Sequence, residues 1–249
     1  MMDALQEICV RSKAKGVRIL VDAESQHYQR GIFRTGMELV RIHNCDGYAL
    51  VYNSYQAYLK STPETLASHL AAAGEEGFTL GIKLVRGAYM ASDARHLIHD
   101  TKKDTDNAYN SISQGALKQE IGNFGRPGGV PFPSVDLFLA SHNKDSLLAA
   151  YKTYTQRIEW GLPTTRLGFA QLQGMSDDLS FELVHMNAQG GDRSPDVFKC
   201  STWGSLGECI AYLMRRAAEN RDSVARTGDE YRALKREVKR RLGLSWSPA

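Results

Sequence analysis

The stretch FTLGIKLVRGAY, Phe78 to Tyr89, is a nearly unbroken apolar run that ends on two cations and a glycine, and a longer segment with helical spacing follows it. A strand that alternates apolar and polar residues has one wet face. A continuous apolar run means burial on both faces, the mark of a parallel sheet covered by helices. The same pattern recurs in VRILVDAE (Val17 to Glu24), GYALVYNSYQ (Gly47 to Gln56), VDLFLASHN (Val135 to Asn143), RLGFAQLQGM (Arg166 to Met175) and DVFKCS (Asp196 to Ser201). Helix starts fall between the runs. Ser61-Thr62-Pro63-Glu64 offers a capping oxygen, a first-turn proline and an early acid, and Asn143 is placed to cap a helix beginning at Lys144. Strand and helix alternate, which implies an α/β fold.

Polar residues gather at the C-terminal end of each run: Asp22 and Glu24, Gln56, Lys83 and Arg86, His142 and Asn143, Gln171 and Gln173. In a (β/α)8 TIM-type barrel the chemistry sits at that end, whereas a doubly wound sheet announces itself with a glycine-rich first turn. No GxGxxG follows any of the runs, so the barrel is favoured. A closed barrel needs eight strands and the sequence offers six. The stretch GNFGRPGGVPFP, Gly122 to Pro133, is loop, because its glycines and prolines would break a ladder. The expected architecture is therefore a barrel incomplete in this chain, with about six βα units. It would form a single domain over 1–249, ending in a basic helix at about 228–243 that carries KREVKRR on a solvated face.

The chain has 249 residues, 42% hydrophobic and 24% charged, enough for one large core. Its net charge is +3 with the signs interspersed except in the tail, so no nucleic-acid footprint is indicated. Cys9, Cys45, Cys200 and Cys209 are widely spaced, with no CxxC and no Cys/His cluster at metal-ligand spacing. Free thiols in a reducing compartment and no metal site are expected. No apolar run approaches a membrane span. The opening MMDALQEICVRSKAKG carries Asp3 and Glu7 in a helix-like pattern rather than a signal or transit segment.

The stretch LMRRAAEN, Leu213 to Asn220, sets Arg215 and Arg216 side by side on a helix with Glu219 in reach of both. Taken alone it reads as a surface helix with an intrahelical ion pair, an arrangement that contributes little. The motifs DAE, YNSYQAYL, KLVRGAY, ASHN, QLQGM and YLMRRAAEN, in this order and spacing from about Val17 to Asn220, resemble the proline dehydrogenase family of flavin-dependent barrels. The lysine that opens KLVRGAY is similar to the eukaryotic form, and KCSTWG to a fungal branch.

The resemblance implies FAD held non-covalently at the barrel mouth, with a hydride passing from C5 of L-proline to the flavin and 1-pyrroline-5-carboxylate as product. This is the first step of proline catabolism. It places Arg215 and Arg216 on the substrate carboxylate, oriented by Glu219. Adjacent helical side chains diverge by about 100°, so both reach one ligand only if the helix lies across the pocket mouth. Asp22 would organise the arginines or the amine of proline, Lys83 would lie near the reactive flavin nitrogen, and Tyr89 and Leu172 would wall the proline ring. Gln56, Arg86, Gly87, Ala88, Ser141 and His142 would meet the flavin, and Thr101, Lys103 and Thr105 its adenine end. The family further implies a quinone acceptor, a mitochondrial location and peripheral association with the membrane.

Two departures stand out against that pattern. Counting back from Arg215, the position at which family members carry a tyrosine over the substrate is Cys200, which enlarges the pocket and removes a hydroxyl; a close cyclic analogue then competes with proline as substrate. The first two family strands, with a lysine that helps hold the carboxylate, have no counterpart before Val17, so the chain reads as a fragment, a truncated product or a diverged paralogue. Two alternatives stay open: a non-catalytic flavin-binding fragment or paralogue, and a Schiff-base barrel lyase with Lys83 as nucleophile.

Overall fold

The computed structural model describes residues 1–188, 193–219 and 227–243. Among them, strands β1 (Ile19–Val21), β2 (Val51–Gln56), β3 (Leu80–Val85), β4 (Val135–Ala140), β5 (Arg166–Leu172) and β6 (Asp196–Cys200) form one parallel sheet in chain order. Helix α1 (Met2–Ala14) precedes β1. Then α2 (Gln26–His43), α3 (Thr62–Glu76), α4 (Lys102–Lys118), α5 (Lys144–Glu159), α6 (Asp177–Ala188) and α7 (Leu206–Glu219) follow the six strands in turn, and α8 (Thr227–Arg241) comes after α7. Each strand lies inside its apolar run. Gly122 to Pro133 is loop, closed only by short bridges at Phe124.

Register decides which residues share a face. Tyr52 aligns with Leu20 and Gly81, Lys83 with Ser54 and Phe138, and Gly168 with Phe138 and Asp196. Aligned residues share a face, and the next residue along a strand turns to the other. One face therefore carries Leu80, Ile82, Leu84, Leu137, Leu139, Leu167 and Phe169 into the main core. The other carries a small cluster of Tyr52, Phe138 and Ala170, with Lys83 in the same rows.

The sheet curls toward that second face. Arg18, just before β1, donates to Asp196 at the start of β6 at 2.7 Å, and its guanidinium lies 5.6 Å over the Phe198 ring. The strands β1 and β6 are the two ends of the sheet, so one side chain spans from one end to the other. This is an incomplete barrel of the TIM type.

Of the two expected caps, Asn143 acts as read: its Oδ1 accepts the Ser146 N–H at 3.0 Å. Ser61 does not. It has helical backbone angles and no side-chain cap, and the Thr62 hydroxyl instead donates to the Gln56 carbonyl at 2.5 Å. Pro63 removes one of the donors a cap would serve, and the strand-end carbonyl claims the nearest hydroxyl. Helix α4 opens with a Thr101–Asp104 capping box.

Behind the sheet, Tyr55 Oη and His69 Nδ1 share a hydrogen bond of 2.7 Å, with the Phe33 ring 5.2 Å from the imidazole. Burial lowers the His69 pKa to about 4, and the Arg41 charge acts the same way. The folded chain thus holds this imidazole neutral while the unfolded chain protonates it near 6.5. Between those values the unfolded state binds more protons, so stability falls as pH drops through the window. The loss between pH 7 and pH 4 should be smaller in His69→Gln by on the order of 3 kcal/mol. Urea unfolding at the two pH values checks it, and parallel losses in variant and parent would remove His69 as the cause.

Candidate active site

The inward face delivers its polar residues to the C-terminal strand ends. Asp22 follows β1, Lys83 lies in β3, Gln56 closes β2, Leu172 closes β5 and Cys200 closes β6. Lys83 Nζ and Asp22 Oδ1 form an ion pair in which the ammonium side chain is 14% exposed and the carboxylate 79%. The acid faces the open mouth and the base lies beneath it.

Two loops and the end of β2 are stitched around this pair. Gln56 is buried, and its Nε2 donates to the Glu24 carbonyl at 3.0 Å, while the Glu24 N–H reaches Gln29 Oε1 at 2.9 Å. Tyr89 Oη donates to the Ala23 carbonyl at 3.1 Å. The β1–α2 loop that carries Asp22 is thereby held from β2 and from the β3–α4 loop. Gly87 has φ +133°, and a Cβ there would fall 2.2 Å from the Tyr58 ring, so KLVRGAY requires a glycine at this position.

Arg86 is anchored on one side only. Its Nη2 donates to Ser146 Oγ at 3.0 Å and lies 2.9 Å from Asp106 Oδ1, and its guanidinium covers the Tyr109 ring at 4.5 Å. Its Nε and Nη1 are buried and hydrogen-bond to nothing among the described residues. A buried cation with unspent N–H groups is a donor set suited to an anionic group such as a phosphate.

On the far side, the Leu172 N–H donates to His142 Nε2 at 3.1 Å, which leaves the imidazole proton on Nδ1. Lys199 donates to the Met175 carbonyl at 2.8 Å and pairs with Asp177 at 2.6 Å, closing the loop after β5. Ser141 Oγ accepts the Asn143 N–H at 3.1 Å, and the Thr101 hydroxyl is engaged with Asp104 at the start of α4, where Lys103 is exposed. Ala88 continues the β3–α4 loop beside Gly87.

Helix α7 lies at the strand ends. Burial raises the Tyr212 phenol, and Cys200 and Asp22 add to the rise while Arg216 opposes it. The Arg216 guanidinium is 5.5 Å over the Tyr212 ring. Tyr212 therefore stands close enough to Cys200, Asp22 and Arg216 for each to act on its phenol. The sequence reading passes over Tyr212, although its spacing of four from Arg216 puts the two on one helix face. The side chains of Arg215 and Glu219 lie outside the described residues. Among the described residues no cluster of metal-ligating groups occurs and the four cysteines form no disulfide.

Residues 3–228 match the family model described as proline dehydrogenase. The chain is 31% identical over 247 residues to a probable mitochondrial proline dehydrogenase of Schizosaccharomyces pombe, a match that covers 95% of this chain and 49% of the relative. It is 34% identical to mitochondrial proline dehydrogenase 1 of Arabidopsis thaliana, over 96% of this chain and 46% of that one. It is 34% identical to a hydroxyproline dehydrogenase of Bos taurus, over 99% and 53% respectively. The chain thus spans about half the length of the curated relatives it matches. In three dimensions it is similar to proline utilization A of Bdellovibrio bacteriovorus, with a TM-score of 0.68 at 23% identity, covering 88% of this chain and 21% of that one.

Proposed function

The chain belongs to the proline dehydrogenase family, and on that premise we propose that it is an oxidoreductase converting L-proline, or a ring-hydroxylated proline, to the corresponding 1-pyrroline-5-carboxylate with FAD as cofactor. The observation that carries the reading is the Lys83–Asp22 pair at the strand ends beneath the helix that bears Tyr212 and Arg216.

The residues present fit FAD on chemical grounds. Arg86 has buried N–H groups without a partner among the described residues, suited to a pyrophosphate, and the Gly87–Ala88 backbone would pass beneath the cofactor, its glycine required by the Tyr58 ring and its alanine adding little bulk. Gln56, Lys83, Ser141, His142, Thr101 and Lys103 complete the proposed cofactor contacts. When bound, FAD supplies the two-electron acceptor that no side chain can replace. Arg216, together with Arg215, would grip the substrate carboxylate with paired N–H donors, and Glu219 would orient them. Lys83 adds positive charge where the carboxylate and the acceptor bring negative charge. Asp22, paired with Lys83, turns its exposed carboxylate toward the place where the substrate amine would enter. Tyr89 and Leu172 would wall the ring, with Leu172 fixed by His142.

Cys200 bears on the choice of substrate. The Arabidopsis thaliana proline dehydrogenase and the Bos taurus hydroxyproline dehydrogenase match this chain at the same 34% identity, so overall similarity does not choose between proline and hydroxyproline. A thiol leaves room on the pocket wall for a ring hydroxyl. A mitochondrial location is proposed from the names of the relatives, and a quinone as terminal acceptor from the family. Among the described residues no helix is long and apolar enough to cross a membrane. The lyase alternative gains nothing from the structure: imine formation needs a free amine, and Lys83 is salt-bridged to Asp22.

The natural polypeptide carrying this chain should purify yellow, release FAD on denaturation and bleach with proline or hydroxyproline. Cys200→Tyr should raise the preference for proline over hydroxyproline, as a ratio of kcat/KM values, by about tenfold. A folded, colourless protein that takes up no FAD would sink the flavoenzyme reading, and an unchanged ratio would place Cys200 outside the pocket.

A further inference from the structure

We propose that Asp93 is a positioning residue, a two-ended clip that locks the β1–α2 loop and the β3–α4 loop into one unit and so sets the walls of the substrate pocket; this rests on the function proposed above. Asp93 lies beyond KLVRGAY, before a 3₁₀ turn at Arg95–Leu97, and is 8% exposed. Each of its oxygens serves a different element. Oδ1 accepts the N–H of Gln26, the first residue of α2, at 2.8 Å, and Oδ2 accepts the Tyr58 hydroxyl at 2.5 Å.

Those two partners reach the site directly. Gln26 begins the helix that follows Asp22, Ala23 and Glu24. Tyr58 donates its N–H to the Arg86 carbonyl at 2.8 Å, and its ring fills the space beside Gly87. The Asp93 N–H closes a turn on the Tyr89 carbonyl at 2.8 Å, and the Tyr89 hydroxyl crosses back to Ala23. One carboxylate thus ties together the segments that carry Asp22, Arg86, Gly87 and Tyr89, beside the Gln56–Glu24 and Tyr89–Ala23 hydrogen bonds. A buried carboxylate is costly unless its oxygens are hydrogen-bonded, and here both are, one of them by a helix N-terminus whose dipole favours the charge.

The clip is separate from what holds the fold. Tyr58 packs with Leu59 and Ile98 in a small cluster of its own, outside the main core between sheet and helices. Loss of Asp93 should therefore loosen the mouth and leave the sheet intact. An asparagine can keep both ends, its oxygen accepting from Gln26 and its amide donating to the Tyr58 oxygen. A leucine of similar volume can keep neither.

The test uses the natural polypeptide with FAD, comparing Asp93→Leu, Asp93→Asn and Tyr58→Phe. Asp93→Leu should raise KM for proline, and the Kd of its non-reactive ring-oxygen analogue, by about tenfold or more. In the same variant kcat should change by less than about threefold, and amide hydrogen exchange should rise in residues 22–29 and 86–93 together. Asp93→Asn should restore both readouts, and Tyr58→Phe, which keeps the ring beside Gly87 and drops one tether, should fall between. A folded Asp93→Leu with unchanged KM and exchange overturns the proposal, as does an Asp93→Asn as impaired as the leucine. If Asp93→Leu does not fold, Tyr58→Phe decides: unchanged KM and unchanged exchange in both loops overturn it. The exchange readout needs no substrate, so it tests the clip even if proline fails to reduce the parent protein, an outcome that removes the proposed function alone.

Discussion

Lys83→Met should slow reduction of the bound flavin by proline by on the order of a hundredfold while the thermal midpoint scarcely moves. The two effects separate because the ammonium and its partner are unequally covered. Asp22 is 79% exposed, so once Lys83 is gone its carboxylate is served by water, and breaking a pair so open to solvent costs at most about 1 kcal/mol. Methionine retains the length and apolar stem that lie beside Ser54 and Phe138 in the aligned rows of the sheet. The charge at the mouth is all that is lost. A cation fixed beforehand where charge develops needs no reorganisation during the reaction, and removing a preorganised group of that kind typically costs about 10² to 10³ in rate. Stopped-flow bleaching by proline, with thermal unfolding as control, measures both. A rate within about threefold of the parent would show that Lys83 serves only to hold the β1–α2 loop through Asp22.

The same contrast between covered and open groups explains what could be read from the sequence. The four central strands, largely buried on both faces, betray themselves as apolar runs, and the more exposed end strands β1 and β6 also lie within the stretches that FTLGIKLVRGAY and its counterparts mark. Periodicity then orders Asp22, Lys83 and Cys200 on one face, because every second residue of a strand shares a face. Contacts that join distant segments leave no such trace. Asp93 meets Gln26 and Tyr58 across 67 and 35 residues, and nothing local distinguishes it from a solvated loop acid. Tyr212 is hidden for another reason: on a helix with exposed apolar residues such as Leu213 and Met214 it reads as one more member of an amphipathic pattern. Ser61 does not cap because its backbone is helical rather than extended and Pro63 removes one of the N–H groups its oxygen would serve. What a residue hydrogen-bonds to is set by tertiary neighbours that the sequence alone does not order.

Arg216→Met carries the second large effect, and it falls on recognition rather than on the rate of reduction at saturation. The guanidinium stacks over the Tyr212 ring, whose phenol feels both Asp22 and Cys200, and the proposed function puts the substrate carboxylate within its reach. Methionine preserves most of the length and the contact with the ring while removing the charge and the planar fork. Losing a charged partner of a bound carboxylate costs about 2 to 5 kcal/mol, or roughly 30-fold to several-thousandfold in kcat/KM. Arg216→Lys should recover only part of this, since an ammonium is a point charge that neither forks onto a carboxylate nor stacks on a ring as a guanidinium does. Stability should change little in either variant, because none of the described side chains of α7 is buried. Flavin content should stay near that of the parent, which separates the loss from any failure to hold FAD. Titration of each variant with the ring-oxygen analogue of proline, read in the flavin absorbance, measures recognition without turnover. Undiminished affinity in Arg216→Met would mean that the arginine serves the packing of α7 on Tyr212 and that the carboxylate is held elsewhere on the strand-end rim.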